Sequence, residues 1–277
     1  MSARVALVVN GARADASEAA AQSAAALSAR GIEARICALT HGDHAEVAAT
    51  LADLEAEVFV SLGGDGTFLR TARRAHELGR PILGVNFGRV GYLLNELSAP
   101  IDEVVVAALD GRVPLERRAG LELRLADGRA EFALNEVSIE KTVPGHVVRV
   151  ATSVDSESLL TYAADGLLVS TPTGSTAYNL SAGGPVLAPH LDAFVLTPVA
   201  PHLVIDRSVV LGGDQVLDLE IVGERPAVCV LDGATIATLE PGAALSVRRH
   251  PRWLEVISDT ERHMGRRLRE SLRQGHE

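Results

Sequence analysis

Val58-Phe59-Val60-Ser61-Leu62-Gly63-Gly64-Asp65-Gly66-Thr67-Phe68-Leu69-Arg70 reads as a short apolar strand, a glycine turn holding one acid, and the opening of a helix. Three glycines in four positions allow a sharp turn and leave no Cβ to block a ligand. The helix is expected to begin beyond the turn, with its unpaired N–H groups facing back into it. That makes an anion site suited to phosphate. Asp65 is the odd residue, because a loop that only cradles phosphate has no use for a fixed negative charge. An acid there fits a group that orients a metal ion or accepts a proton from an attacking hydroxyl. The competing reading is a tight turn with an exposed Asp.

Around this stretch, strands and helices alternate. Arg4 to Asn10 is a buried strand ending at Gly11. Asp15 with Glu18 forms a capping-box pattern before an Ala-rich helix that stops at Gly31. Ile32 to Leu39 and Ile82 to Val85 are further strands, and Ala45 to Leu54 is a helix. This pattern predicts βαβ units and a parallel sheet, with functional loops at the carboxyl ends of the strands. Gly63 to Thr67 and Asn86 to Gly91 lie there. After the helix Ile101 to Leu109 the rhythm changes to short alternating strands, with turns at Asp127-Gly128, Asp232-Gly233 and Pro241-Gly242. This half predicts an antiparallel β-sandwich. Thr260 to Arg273 reads as a last, Arg-rich helix. The expected division is an α/β domain over 1–98, with 258–277 returning to it, and a β-sandwich over 99–257. The site is expected in the cleft between them.

A chain of 277 residues with 47% hydrophobic and 22% charged residues is an ordinary globular protein. Aromatics are only 3%, so Ala, Val, Leu and Ile must build the core. A net charge of −10 argues against nucleic acid and anionic membranes as partners. Cys37 and Cys229 suggest neither a disulfide framework nor a zinc site. The chain enters its first strand without a secretory leader, and no apolar run approaches the ~20 residues of a membrane span. A cytoplasmic protein is expected.

The second dense stretch runs from Asp165-Gly166 through Leu167-Leu168-Val169-Ser170 into Thr171-Pro172-Thr173-Gly174-Ser175-Thr176-Ala177-Tyr178-Asn179-Leu180-Ser181-Ala182-Gly183-Gly184-Pro185. Hydroxyls and N–H groups concentrate around a short helix expected near Ser175 or Thr176. Such a surface suits a sugar, an amide or a phosphate; an ordinary capped helix is the plainer alternative. Two other readings fail. No G-x-x-x-x-G-K-[ST] run is present, so this is not a Walker-type NTPase. Gly64-Asp65-Gly66 begins like a dinucleotide fingerprint, but Leu69 stands where the third glycine would fall, and Asn86 ends the next strand where an acid is needed. His41 and His44 lack a completing ligand set, and the Arg-rich C-terminal stretch fits a solvated helix.

Gly63-Gly64-Asp65-Gly66-Thr67 resembles the loop shared by NAD kinases, diacylglycerol and sphingosine kinases and, more loosely, phosphofructokinases. Asn135-Glu136, Asp165-Gly166 and Thr171 to Pro185 together resemble the NAD kinase set. Asn86 to Gly91, followed by Tyr92, and Pro201-His202 are similar to further motifs of that family. The resemblance runs from about Arg4 to the last helix. It implies a Rossmann-like α/β domain, a C-terminal β-sandwich and a C-terminal helix returning to the first domain. It implies phosphorylation of the adenosine-ribose 2′-hydroxyl of NAD, giving NADP, with Mg²⁺ or another divalent cation and with ATP or polyphosphate as donor. By matching motif positions, Asp65 would accept the proton and also contact NAD. Gly63, Gly64, Gly66, Thr67 and Arg70 would form the phosphate loop, with Gly66 also beside the substrate. Asn135, Glu136, His146, Asp165, Thr176, Ala177, Tyr178, Asn179, Leu180 and Ser181 would hold NAD. No metal ligand is assigned from the protein's own side chains, and a homodimer or homotetramer is implied.

Ala163, two residues before Asp165, and Ala234, after Asp232-Gly233, depart from residues many members carry. Leu203 and Ser208 depart likewise. These changes bear on NAD/NADH preference and assembly. The rival activities are a lipid or sugar kinase on the same scaffold and a catalytically silent NAD(H)-binding sensor.

Overall fold

The structure, a computed structural model, describes residues 3–40, 42, 44–88, 93–94, 97–202 and 206–258. The chain forms two compact units. The first runs to Arg117 and takes the chain back from Leu254; the second spans Arg118–Trp253. The expected helix over Thr260 to Arg273, His41, Leu203 and the Arg89–Tyr92 part of the second loop lie outside the described residues.

In the first unit β1 (Arg4–Asn10), α1 (Ala14–Ala29), β2 (Glu33–Leu39), α2 (His44–Ala52), β3 (Val58–Gly63), α3 (Asp65–Glu77) and β4 (Ile82–Asn86) alternate. They are followed by α4 (Ile101–Leu109), β5 (Leu115–Arg118) and, from the far end of the chain, β18 (Leu254–Ile257). The sheet order is β2-β1-β3-β4-β18-β5, and β1 to β4 are parallel. Both faces of these strands are covered, which is why Val58 to Gly63 is buried throughout and reads as an apolar run broken only by Ser61. On one face Val5, Leu7, Val9, Val60 and Leu62 share a core with Ala16, Ala20 and Leu27 of α1 and Val104 and Val105 of α4. Small alanines let α1 lie close to the sheet. The anticipated capping box does not form. Arg13 occupies the cap position, and Asp15 instead accepts bonds from the Arg13 guanidinium at 3.1 and 2.8 Å.

The division falls at Arg117, later than the break after residue 98 suggested by the change of rhythm. The reason is packing: α4 lies on α1 and feeds the first core, and β5 extends the first sheet. The chain also returns earlier than residue 258, as strand β18 beside β4. Ser258 fixes this return, its N–H donating to the Pro114 carbonyl and its hydroxyl to Glu116 at 3.1 Å.

The second unit holds β6 (Leu121–Leu125), β7 (Ala130–Ala133), β8 (Glu136–Lys141), β9 (Val148–Val154), β10 (Glu157–Ala164), β11 (Gly166–Ser170) and the one-turn helix α5 (Tyr178–Ser181). β12 (Ala193–Val199), β13 (Val209–Gly212), β14 (Val216–Ile221), β15 (Ala227–Leu231), β16 (Ala234–Leu239) and β17 (Ala244–Arg249) follow. Two antiparallel sheets, β10-β9-β14-β17-β6-β7 and β13-β12-β11-β8-β15-β16, share one core. Leu123, Val150, Leu219 and Val247 of the first sheet meet Val137, Ile139, Phe194 and Cys229 of the second. Along β8 the alternation is complete. Val137 and Ile139 join that core, so Glu136, Ser138 and Glu140 take the opposite face of the sheet. Among the described residues no helix is long and apolar enough to cross a membrane.

Candidate active site

Gly63 closes β3, Gly64 caps α3, and Asp65 is the first helical residue. The helix therefore starts inside the turn rather than beyond it, because the Thr67 and Phe68 N–H groups already bond the Gly64 carbonyl at 3.0 and 3.1 Å. The glycines are not there for a left-handed backbone: none of the three has a positive φ, and Gly64 at φ −105°, ψ −174° is extended. Gly63 is needed for packing, since a Cβ would lie 2.6 Å from Thr67 Oγ1 and 3.2 Å from Asn10 Cβ. At Gly64 and Gly66 a Cβ would meet nothing within 4 Å. Their bareness serves no neighbour among the described residues and leaves room for a molecule against the backbone.

The turn is held at the carboxyl ends of three strands. The Phe87 N–H donates to the Gly63 carbonyl at 2.9 Å, while Asn10 and Asn86 side chains receive the Ala12 and Gly88 N–H groups at 3.1 and 2.9 Å. With order β2-β1-β3-β4, connections leave β1 and β3 in opposite directions, and the crevice at such a reversal is where open α/β sheets bind ligands. The N-terminus of a 13-residue helix adds a favourable field for anions. Thr67 is buried, and Arg70 lies half-buried one turn further along α3.

In the second unit the chain enters β8 through Leu134-Asn135-Glu136. This corner is fixed from two sides. The Asp232 carboxylate receives its three N–H groups, and the Asn135 carbonyl receives the Thr171 N–H at 2.9 Å and the Ser170 hydroxyl at 3.3 Å. Thr171 also donates to the Leu134 carbonyl at 2.6 Å, and Gly174 packs so closely on Asn135 that a Cβ would collide with its backbone. What remains uncommitted are side-chain atoms. Asn135 Oδ1, Glu136 Oε2 and Thr173 Oγ1 are buried without a hydrogen-bond partner among the described residues. Burial, with the Asp232 and Glu140 charges adding to it, pushes the Glu136 carboxyl up to about 8. An acid so placed favours a ligand whose hydroxyl or amino groups replace the lost water.

The structure brings several sequence-marked residues to this corner and sets others apart. Tyr178 is exposed. Burial of part of its ring raises its hydroxyl, and so do Glu140, Asp165 and Glu136, which places it within their field. Asp165, between β10 and β11, forms an ion pair with Lys141 at 2.7 Å. Both partners are partly exposed, so the pair is worth at most about 1 kcal/mol and yields readily to a ligand. Thr176, Ala177 and Leu180 are half-buried and Ser181 is exposed. Asn179 differs: it is fully buried and three of its amide's four hydrogen-bonding positions are used. Nδ2 donates to the Ser175 and Pro185 carbonyls at 3.1 and 3.0 Å, and Oδ1 accepts from Thr197 at 2.7 Å. Thr171 and Ser175 likewise turn their hydroxyls inward. His146 is exposed in the turn before β9, and among the described residues no hydrogen bond or ion pair joins it to Asn135, Glu136 or Asp165.

Sequence reasoning missed Asp232, Glu140 and Lys141. Glu140 had a signal in the alternation Glu136-Val137-Ser138-Ile139-Glu140, which places it two pleats along the same face. Asp232 was readable only as a turn residue.

The family model of the ATP-NAD kinase N-terminal domain matches residues 7–112, and that of the ATP-NAD kinase C-terminal domain matches residues 134–258. An NAD kinase of Heliobacterium modesticaldum is 38% identical over 98% of this chain and 99% of its own length. An NAD kinase of Prosthecochloris aestuarii is 34% identical over 99% of this chain and 98% of its own. Among solved structures, an NAD kinase from Archaeoglobus fulgidus in complex with ATP is similar at a TM-score of 0.74 and 25% identity, over 96% of this chain and 99% of that one. Yeast NADH kinase complexed with NADH shares the fold at a TM-score of 0.85, with 22% identity over 98% of this chain and 87% of that one. Alike in both its domains and along nearly all of its length, the chain belongs to the NAD kinase family.

Proposed function

We propose that this protein is an NAD kinase that transfers a phosphoryl group from ATP to the adenosine-ribose 2′-hydroxyl of NAD, giving NADP. The observation that carries this is the pair Gly64 and Gly66, where a Cβ would meet none of the described residues, flanking Asp65 at a helix N-terminus. That arrangement receives phosphate through backbone amides and keeps one carboxylate beside it. Asp65 accepts the proton of the attacking hydroxyl. A carboxylate is a weak base for an alcohol, so the proton moves only as the bond to phosphorus forms, and the acceleration rests mostly on in-line placement and charge stabilisation. The amides of the Gly63–Gly66 turn supply part of that stabilisation.

Among the described residues no group of three acidic, histidine or cysteine side chains could cage a metal ion. A single carboxylate at a phosphate site fits Mg²⁺, which is commonly held by one or two carboxylates, water and the substrate's own phosphates. Asp65 is the residue to share in holding it, and the cation would neutralise charge on the donor. Inorganic polyphosphate would use the same turn.

Asn135 and Glu136 bind NAD by reading hydroxyl and amino groups, with Asp165 released from Lys141 to assist. Tyr178 offers its exposed ring, and Thr176, Ala177, Leu180 and Ser181 line the approach. Free thiols at Cys37 and Cys229 suit a reducing cytoplasm. The test is NADP formation from NAD and Mg²⁺, with ATP and polyphosphate in separate reactions. Product with ATP supports the proposal; absence of product with both donors removes it.

A further inference from the structure

Asp232 opens the two-residue turn between β15 and β16. Its φ of +48° and that of Gly233, +79°, make this a hairpin turn of the mirror-image type. Such a turn asks only for Asp, Asn or Gly at its first position. This one does more. Oδ2 of Asp232 receives the Leu134 N–H at 2.9 Å, and Oδ1 receives those of Asn135 at 2.8 Å and Glu136 at 3.1 Å. The Asp232 N–H donates back to the Glu136 carbonyl at 3.0 Å. Three consecutive amides converge on one side chain from about a hundred residues away. Only a carboxylate offers an acceptor oxygen on each side of that fork. With the Asn135 carbonyl taken by Ser170 and Thr171, the backbone of the corner is bolted and its side chains alone are left to bind.

We propose that Asp232 is the positioning residue of the substrate corner. It holds Asn135 and Glu136 in the geometry that receives NAD, and its charge tunes Glu136 from alongside. The role rests on the NAD kinase reading above. The charged and titratable groups around Glu136 are Asp232 on the turn, Glu140 on the same strand and Tyr178 on α5, with Asp165 beyond Tyr178 and neutralised by Lys141. Asp232 and Glu140 repel a charge on Glu136, and that charge is what a donating hydroxyl of NAD favours. In the wild type kcat/KM for NAD should therefore rise with pH as Glu136 ionises.

Asp232→Asn is the informative variant, because Asn tolerates the left-handed turn while placing a donor against an N–H. Above about pH 9, where Glu136 is ionised in both proteins, it should raise KM for NAD about tenfold, the equivalent of one buried hydrogen bond, and leave kcat and KM for ATP within about twofold. It should also move the pH midpoint of kcat/KM for NAD downward, since one repelling charge is gone. Damage to folding alone would not move that midpoint. In Glu136→Gln the rise should vanish, and adding Asp232→Asn should then leave the pH profile flat. Independently of any variant, the Leu134, Asn135 and Glu136 amides of the substrate-free wild type should resist hydrogen exchange as interior strand amides do. Wild-type KM and midpoint in a folded Asp232→Asn protein, or exchange of those amides at exposed-loop rates, would overturn the role. A wild type that forms no NADP would instead overturn the reading beneath it, while the amide protection would still report on the clamp.

Discussion

Gly64 and Gly66 lack side chains where nothing among the described residues would obstruct one, and that separates a ligand's demand from a backbone's. Gly66 lies in the first turn of α3, so Gly66→Ala should stabilise the fold by roughly 0.5–1 kcal/mol by restricting the unfolded chain. The same change should raise KM for the phosphate donor. A thermal melt and donor kinetics read both signs, and a variant unchanged in donor affinity would deny the turn its role. Glu136 gives a second opposition between stability and binding. Its carboxyl stands near 8 in the fold against an ordinary value near 4.5, so the folded state holds a proton that the unfolded state has lost. The stability this represents is fully present below about pH 4.5 and is lost as pH rises to about 8, an effect on the order of a few kcal/mol. Urea melts of the substrate-free protein should show the fall between pH 5 and 9, and Glu136→Gln should flatten it while weakening NAD binding.

The elements around the Asn135–Glu136 corner show what the sequence could and could not convey. The strand-turn-helix at Val58 to Arg70 was legible because a largely apolar strand, bare glycines and an amphipathic helix follow one another within one short segment. The interior of the Thr171–Pro185 stretch was not. Its hydroxyls look alike in sequence, yet Thr171, Ser175 and Asn179 face inward as bolts. Nothing local says which way a side chain in a one-turn helix will point. β5 and β18, four residues each, and β12, interrupted by Pro198, also lacked the length or the clean alternation that marks a strand. The inward orientation has consequences. Asn179→Ala should cost about 2–3 kcal/mol, since it takes the amide donor from the Ser175 and Pro185 carbonyls and leaves the Thr197 hydroxyl with Ser208 alone, and should affect NAD affinity mainly through that loss. A stable variant with sharply raised KM would return Asn179 to the ligand. Gly174→Ala should force the Thr171–Thr176 turn off Asn135 and weaken NAD binding, as calorimetry would show.

At the scale of the whole molecule, the class of each half was legible from rhythm alone: a period of helices and strands, then a period of short alternating strands. The boundary was not, because α4 and β5 continue the first unit after the sequence has changed character, and β18 returns to it from the far end. No local pattern announces a partner some 170 residues away. The two thiols offer probes of the two units. Cys229 lies in the sandwich core, where burial pushes it up to about 12, whereas Cys37 is half-buried on the edge strand β2. A thiol reagent should modify Cys37 in the native protein and reach Cys229 only as the second unit opens, orders of magnitude more slowly. The central claim, that Asp65 in a bare glycine turn accepts the proton of a hydroxyl of NAD, is tested most directly by Asp65→Asn. Its turnover of NAD and ATP to NADP should fall by about 10²–10⁴-fold, with NAD affinity by calorimetry unchanged from wild type. Turnover near that of the wild type would contradict the claim.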